Sequence, residues 1–258
     1  MFRLTRDVRF AINPDPSGLA IQHRASNGYG GFPAMTGFGQ FYRLTVTIEG
    51  ELEPDSGYLL NIKQVDKVVR ERVVKPSNWP LSPQRILEIL ADGIGAGKLV
   101  EVSLYLSPFL CLTQLATEAG MSTRMSQKFE FSAAHRLHNP RLSDEDNRRV
   151  YGKCNNPNGH GHNYELQVTL RGKPDANGLL AEVPAFEKIV KEHVLDRLDH
   201  KHLNVDVTEF RELIPTVENI SMVIYRLLKG RFSGIGADLA SVTVWETPKT
   251  WCEYTEDK

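Results

Sequence analysis

The sequence predicts an α+β fold made of two tandem units, each an antiparallel four-stranded sheet with two helices on one face. Two observations carry this. Residues 37–48 read GFGQFYRLTVTI and residues 159–170 read GHGHNYELQVTL, so Gly, Gly, Tyr, Leu, Val and Thr match in place without a gap. The order of elements around the two segments also repeats, which is the signature of an internal duplication.

Each matched segment alternates apolar and polar residues, the period of a half-buried strand. A turn follows in each half, at residues 54–57 and 174–178. A helical pattern comes next, Ile62, Val65, Val69 and Val73 in the first half and Phe186, Ile189, Val190 and Val194 in the second. A second helix follows. In the first half Ser82 is its N-cap, Pro83 its first residue and Gly93 its end; in the second half Thr216 is the N-cap, Ile220, Val223, Ile224 and Leu227 form the stripe, and Gly230 ends it. A last alternating strand closes each half, at residues 99–106 and 239–246. The order is therefore β-β-α-α-β-β twice. Hairpin-joined strands imply antiparallel pairing, and paired helices must cover one face. The polar, aperiodic stretch 113–127 places the boundary, giving domains 1–118 and 119–258.

Composition narrows the function. With 258 residues and a net charge of −1, the chain has no global basic field to attract nucleic acid or an anionic membrane. No apolar run is long enough to span a bilayer; the best candidate, residues 99–116, alternates and contains Glu101, so it reads as strand. The N-terminus lacks the apolar core of a signal peptide. Three cysteines, Cys111, Cys154 and Cys252, make a poor disulfide framework and fit a reducing cytoplasm. Of the eight histidines, seven lie between His135 and His202, which places any chemistry in the second half.

His160 and His162 are two apart at the start of a predicted strand and share the parity of Tyr164, Leu166, Val168 and Leu170, so both imidazoles project from the apolar face. His135 ends the strand-like segment 128–134, expected beside the histidine strand. Three imidazoles with a fourth position open suit catalytic Zn2+. If Cys154 filled that position the site would be closed and structural, and a His-x-His pair by itself binds nothing in most proteins.

The segments FSAAHRL (131–137), YGKCNNPNGHGHNY (151–164), LDHKHLN (198–204), PTVEN (215–219) and VWET (244–247) resemble, in order and spacing, the 6-pyruvoyl-tetrahydropterin synthase family and the related 6-carboxy-tetrahydropterin synthases. The resemblance implies the tunnelling fold (T-fold), assembled as a homo-oligomer with three-fold symmetry. It implies His135, His160 and His162 as zinc ligands and Cys154 as general base. Asp199 and His200 would form a proton relay across a subunit interface. Glu246 would anchor a small-molecule pterin, with Thr216 and Glu218 nearby. The implied reaction turns 7,8-dihydroneopterin triphosphate into 6-pyruvoyl-tetrahydropterin with loss of triphosphate. The alternatives are 6-carboxy-tetrahydropterin synthesis or another pterin side-chain cleavage, and, in another class, a non-catalytic zinc-stabilised scaffold.

The bottom-up readings beside these roles are plainer. Glu246 ends a strand on the apolar face and would need a partner, either a ligand or a structural cation. Asp199-His200 is also a helix-terminal polar pair, Thr216 has a sufficient role as a cap, and Glu218 favours the helix dipole. Arg136, Arg148, Arg149 and Lys153 are candidates for triphosphate, or a solvated loop surface. In the first half, Phe38 and Gln40 replace the histidine pair and Leu106 stands opposite Glu246, so that half is expected to be catalytically dead and to serve assembly; His23 is read as a surface residue there.

Overall fold

The structure, a computed structural model, describes residues 1–14, 27–75, 79–94, 98–117, 120–176 and 178–256; His23 lies outside the described residues. The chain divides into two compact units, Met1–Met125 with Lys173–Leu180, and Ser126–Gly172 with Ala181–Lys258.

In the first unit, strand alternation sets the layers. β1 (Phe2–Ile12) pairs antiparallel with β2 (Gln40–Gly50), with Val8 against Leu44 and Phe10 against Tyr42. β2 pairs with β3 (Lys98–Tyr105), and β3 with β4 (Leu110–Thr117). One face is apolar and buried, through Val8, Phe10, Leu44, Val46, Val102 and Leu104. α1 (Ile62–Val68), continued as a π-helical segment Val69–Val74, and α2 (Pro83–Ile94) supply Val65, Val69, Val73, Ile86 and Leu90 to the same core. The other face is tied by hydroxyls, such as Thr45 Oγ1 donating to Asp7 Oδ1 at 2.6 Å. Asn61 caps α1 by accepting from Lys63 N, and Ser82 Oγ accepts from Arg85 N at 3.3 Å.

The outer edge of β1 is covered by the segment that follows it. Phe32 N donates to Arg9 O at 2.8 Å, Ala11 N to Pro33 O at 2.9 Å, and Arg9 N to Asn27 Oδ1 at 2.8 Å. An edge strand so satisfied offers little to a stray partner strand.

The second unit repeats the order with additions. β5 (Gly120–His135) and β8 (Ala237–Thr247) flank β6 (His160–Gly172), and β9 (Thr250–Tyr254) pairs with β8. α4 (Val183–Val190), its π-helical extension Lys191–Leu195 and the short α5 (Asp196–Leu198) precede α7 (Val217–Leu228), which is capped by Thr216. Phe186, Val190, Val194, Ile220 and Ile224 are buried with Leu166, Val168 and Val242. Two elements go beyond the expected frame: α3 (Asp144–Tyr151) between β5 and β6, and a two-residue strand β7 (Lys201–His202) that runs parallel to the end of β5 and leads into α6 (Leu203–Asp206). The second unit thus has a parallel contact that an all-antiparallel reading lacks.

The two units break regularity at matching places. The β2–β3 register shifts between Thr47 and Ile48, and the β6–β8 register between Thr169 and Leu170, which are corresponding residues of the matched segments. The π-helical segments begin at Val69 and Lys191, the same number of residues beyond each bulge.

Several expectations are corrected. Residues 99–116 form two strands, because Leu106 N bonds back to Leu110 O at 3.0 Å in a hairpin. The stretch 113–127 does contain the division, between Met125 and Ser126, but it is largely strand rather than aperiodic, and the division falls within β5. Its buried positions are filled by Gln114, Thr123 and Gln127, which hides the alternation; Thr123 Oγ1 donates to Gln114 Oε1 at 2.6 Å, and Gln127 Nε2 to Glu187 Oε1 at 2.5 Å. Gly93 lies inside α2, not after it. A Cβ there would stand 2.6 Å from Val68 Cγ1, so glycine is required by the close approach of α1. Ile62 is exposed, not part of the stripe. No helix among the described residues is long and apolar enough to cross a membrane.

Candidate metal centre and surrounding site

His135, His160 and His162 converge. Their ligand atoms lie within 4.8 Å of one another, and ring centroids are 4.5, 5.2 and 4.9 Å apart. The strand parity of β6 sets the last two, and the end of β5 presents the first, which is fully buried. The approach of His135 Nε2 to His160 Nε2 is 3.1 Å.

The orientation of His135 is fixed from behind. Its Nδ1 lies 2.7 Å from Pro215 O, a pure acceptor, so Nδ1 carries the proton and the Nε2 lone pair faces the other rings. Tyr164 Oη stands 3.4 Å from the same Nδ1. Burial pushes the His135 imidazole down to about 4, and burial with the neighbouring His162 lowers His160 as well. Neutral imidazoles are the form that ligates metal. His162 Nε2 is buried without a hydrogen-bond partner among the described residues. An orphaned polar atom of this kind costs about 1–3 kcal/mol, and a divalent cation would satisfy it. The donor set therefore fits a metal ion.

Glu246 reaches the same point. It shares the inward parity of Val242 and Val244, and it sits in a bulge, since Trp245 pairs with Trp251 and Thr247 with Thr250. Bulges re-aim side chains. Its Oε1 is 3.5 Å from His135 Nε2 and 3.7 Å from His162 Nε2. Among the described residues, the groups that this carboxylate faces are those of the histidine cluster, with no lysine or arginine in ion-pair contact.

Cys154 lies in a 3-10 turn, Gly152–Asn155, whose register is held by Leu137 N donating to Cys154 O at 2.9 Å. Burial, then the charge of Glu246, raise its thiol above the ordinary range. Among the described residues, the group close enough to share one ion is the three histidines without Cys154, so the closed four-ligand set is not formed.

Asp199 and His200 form a pair: His200 Nδ1 is 2.9 Å from Asp199 Oδ2, while Ser132 N donates to Asp199 Oδ1 at 2.8 Å. That backbone bond, followed by His200, holds the carboxylate below its usual range. His200 has φ 58°, the only positive value outside glycine among the described residues, and its side chain is 83% exposed. It opens onto a cleft of about 480 Å³ that His162 and His202 also line. Thr216 is an N-cap, with Oγ1 accepting from Asn219 N at 3.4 Å, and Glu218 is exposed in the first turn of α7. The structure gives neither side chain a bond to the histidines; it is the carbonyl before Thr216 that touches the centre.

Four contributors were not singled out from sequence. Pro215 acts through its carbonyl, which no side-chain pattern reveals. Tyr164 shared the histidine parity but read as core. His202 repeats the two-residue spacing, after His200, and its Nδ1 is buried without a partner among the described residues. Asn204 clamps Arg136, accepting from its N at 2.8 Å and donating to its O at 3.0 Å.

In the first unit Phe38 and Gln40 are exposed, and no comparable group of ligands occurs among its described residues.

Comparison with known proteins places these residues in context. Residues 124–257 match the family model described as 6-pyruvoyl tetrahydropterin synthase. The human 6-pyruvoyl tetrahydrobiopterin synthase is 40% identical over 144 residues, which span 54% of this chain and 98% of that protein. The 6-carboxy-5,6,7,8-tetrahydropterin synthase of Haemophilus influenzae is 29% identical over 154 residues, spanning 52% of this chain and 99% of that one. The solved 6-pyruvoyl tetrahydropterin synthase of Caenorhabditis elegans aligns with a TM-score of 0.48 at 39% identity, over 53% of this chain and 96% of its own.

Proposed function

We propose that this chain, which belongs to the 6-pyruvoyl tetrahydropterin synthase family through residues 124–257, is a zinc-dependent lyase that converts 7,8-dihydroneopterin triphosphate to 6-pyruvoyl-tetrahydropterin. The observation that carries the reading is the convergence of His135, His160 and His162 with the His135 tautomer locked by Pro215. The 40% identity to the human synthase over nearly its whole length favours the pyruvoyl product over the carboxy product, whose Haemophilus relative stands at 29%.

When bound, the ion supplies Lewis acidity toward the substrate's side-chain hydroxyls and the negative charge that develops there. The protein's own groups then have distinct tasks. Cys154 takes the carbon-bound proton. Its thiol is held up by burial and Glu246, and a cation held by the three histidines opposes both effects. Asp199, kept ionised by Ser132 N, orients His200, which returns a proton at the adjacent carbon. Glu246 offers a bidentate carboxylate to the amino and ring N–H groups of a pterin. Thr216 and Glu218 lie at the start of α7, beside the Pro215 carbonyl that orients His135, and we assign them a supporting part in substrate binding.

The exposure of His200 fits a site completed by a neighbouring copy in a three-fold homo-oligomer. We take residues 1–118 as a degenerate copy with an assembly role and 119–258 as the catalytic domain. The matching bulges and π-helical segments support a common origin for the two.

The test is product identification from purified full-length protein given dihydroneopterin triphosphate, with metal analysis of the same sample. Pyruvoyl product and free triphosphate support the reading. A 6-carboxy product with acetaldehyde moves the chain to the second activity, and no turnover by metal-loaded protein leaves the scaffold.

A further inference from the structure

The backbone just before His160 is crowded by a histidine that the proposed chemistry does not use. Gly159 closes a turn, its N donating to Asn156 O at 2.9 Å. It has φ 73°, and the space where a side chain would stand is already filled: a Cβ there would lie 2.7 Å from His202 Nε2 and 3.0 Å from His135 O. The imidazole of His202 therefore presses on the chain one residue before the candidate ligand His160. The carbonyl of the candidate ligand His135 lies against the same point. His202 itself is outside the group of donors close enough to share one ion.

The frame that carries His202 is fastened on both sides of His135. His202 stands beside Ala134 in the parallel contact of β5 with β7. Two residues on, Asn204 accepts from Arg136 N at 2.8 Å and donates to Arg136 O at 3.0 Å. The turn between is closed by His202 N donating to Asp206 Oδ2 at 2.8 Å. The ring thus bridges the end of β5, which bears one candidate ligand, and the start of β6, which bears the other two. Burial lowers the His135 imidazole most, and the charges of His160, His162 and His202 lower it further, which agrees with this nearness. The ring is also kept at a cost. His202 Nδ1 is buried without a hydrogen-bond partner among the described residues, a loss that an apolar side chain would avoid. Groups behind the donors matter to a metal site because they fix ligand orientation, and close-packed interiors transmit a displacement rather than absorb it.

We propose that His202 is a positioning residue of the metal centre: its imidazole, packed against Gly159, sets the separation of His160 from His135 at which one ion binds both. The inference rests on the metal-binding part of the reading above, not on the identity of the substrate.

The probe is Zn2+, titrated into metal-free full-length protein against a competing chelating dye, with circular dichroism checking the fold of each variant. Wild type binds the ion, and His202→Ala weakens binding about ten-fold or more, the range for groups that orient metal ligands. His202→Gln, whose amide reaches as far as Nε2, stays within about three-fold of wild type. Val205→Ala, at an exposed neighbour on α6, leaves the affinity unchanged. Gly159→Ala also weakens binding, and the double variant Gly159→Ala/His202→Ala loses less than the product of the two single losses, because the ring that the Cβ would strike is gone. Should His202→Ala not fold, His202→Val, which fills the strand position without reaching Gly159, carries the same expectation. Wild-type affinity in His202→Ala or His202→Val, an equal loss in Val205→Ala, strictly multiplicative losses in the double variant, or a wild type that takes up no zinc would overturn the inference. It fails separately from the synthase reading. Pyruvoyl product with a zinc affinity indifferent to His202 defeats the positioning role alone, while zinc affinity that depends on His202, in a protein without turnover, defeats the synthase reading alone.

Discussion

The two units share a frame and differ in what they bring together. Both carry a bulge at corresponding residues and a π-helical segment at the same remove. In the first unit Arg6 donates to Asp66 through Nε at 2.9 Å and Nη2 at 2.8 Å, while Arg70 lies over the Phe32 ring 3.9 Å from the same carboxylate, with its Nε and Nη2 buried and, like Trp79 Nε1, without a hydrogen-bond partner among the described residues. In the second unit, His162 Nε2 and His160 Nδ1 are buried with no hydrogen-bond partner among the described residues. The frame tolerates either filling. What sets the second unit apart is convergence: its orphaned histidine nitrogen belongs to three imidazoles that close on one point, whereas the first unit's orphaned atoms, on Arg70 and Trp79, belong to no such group among the described residues.

The sharpest way to break this comparison is to remove the chemistry while keeping the frame. Cys154→Ala leaves the fold and bound metal intact and lowers turnover by about 10²–10⁴, the range of a lost general base; steady-state kinetics with metal analysis checks both parts. The mirror change in the first unit is structural. Asp66→Ala strands Arg6 and Arg70 and destabilises that unit by about 3 kcal/mol, with metal content unchanged, read by denaturant unfolding.

A matched pair of glycines separates the units more finely. Gly159 has φ 73°, and a Cβ there would lie 2.7 Å from His202 Nε2 and 3.0 Å from His135 O. Gly37, its counterpart in the repeat, has φ 56° with nothing within 4 Å. Gly37→Ala therefore costs only the left-handed backbone, about 1–2 kcal/mol, while Gly159→Ala costs more and also displaces histidines, seen as reduced metal affinity. Equal losses with no metal effect would show that the crowding at Gly159 is irrelevant.

A last contrast is in pH. His135 is held down to about 4 and His160 is also lowered. Between that value and the ordinary histidine range the unfolded chain binds more protons than the folded one, so stability rises with pH there. The metal-free second unit is fully stabilised above about pH 6.5 and loses stability as pH falls toward 4. The first unit has no such histidine among its described residues and shows no loss from this source, as followed by unfolding curves at a series of pH values.

Much of this architecture was legible in sequence because it rests on periodicity. The His-x-His pair, its strand and the parity of Glu246 follow from a two-residue repeat, and the caps Ser82 and Thr216 follow from residue type. What escaped detection lacks a periodic signal. Thr123 and Gln127 bury polar side chains by pairing them, so their strand looked like a linker. β7 is too short for a pattern, Gly93 marks a close approach rather than a helix end, and Pro215 contributes only a carbonyl. The parity of Glu246 puts it on the inward face of its strand, but its approach to the histidines and the register shift beside it are tertiary features that no period in the sequence reveals.

The central claim concerns what fills the space among His135, His160 and His162. X-ray absorption at the zinc edge of purified full-length protein measures it directly. The account predicts three imidazole nitrogens at about 2.0–2.1 Å and a remaining light-atom ligand. A sulfur shell at about 2.3 Å, placing Cys154 on the ion, would contradict it.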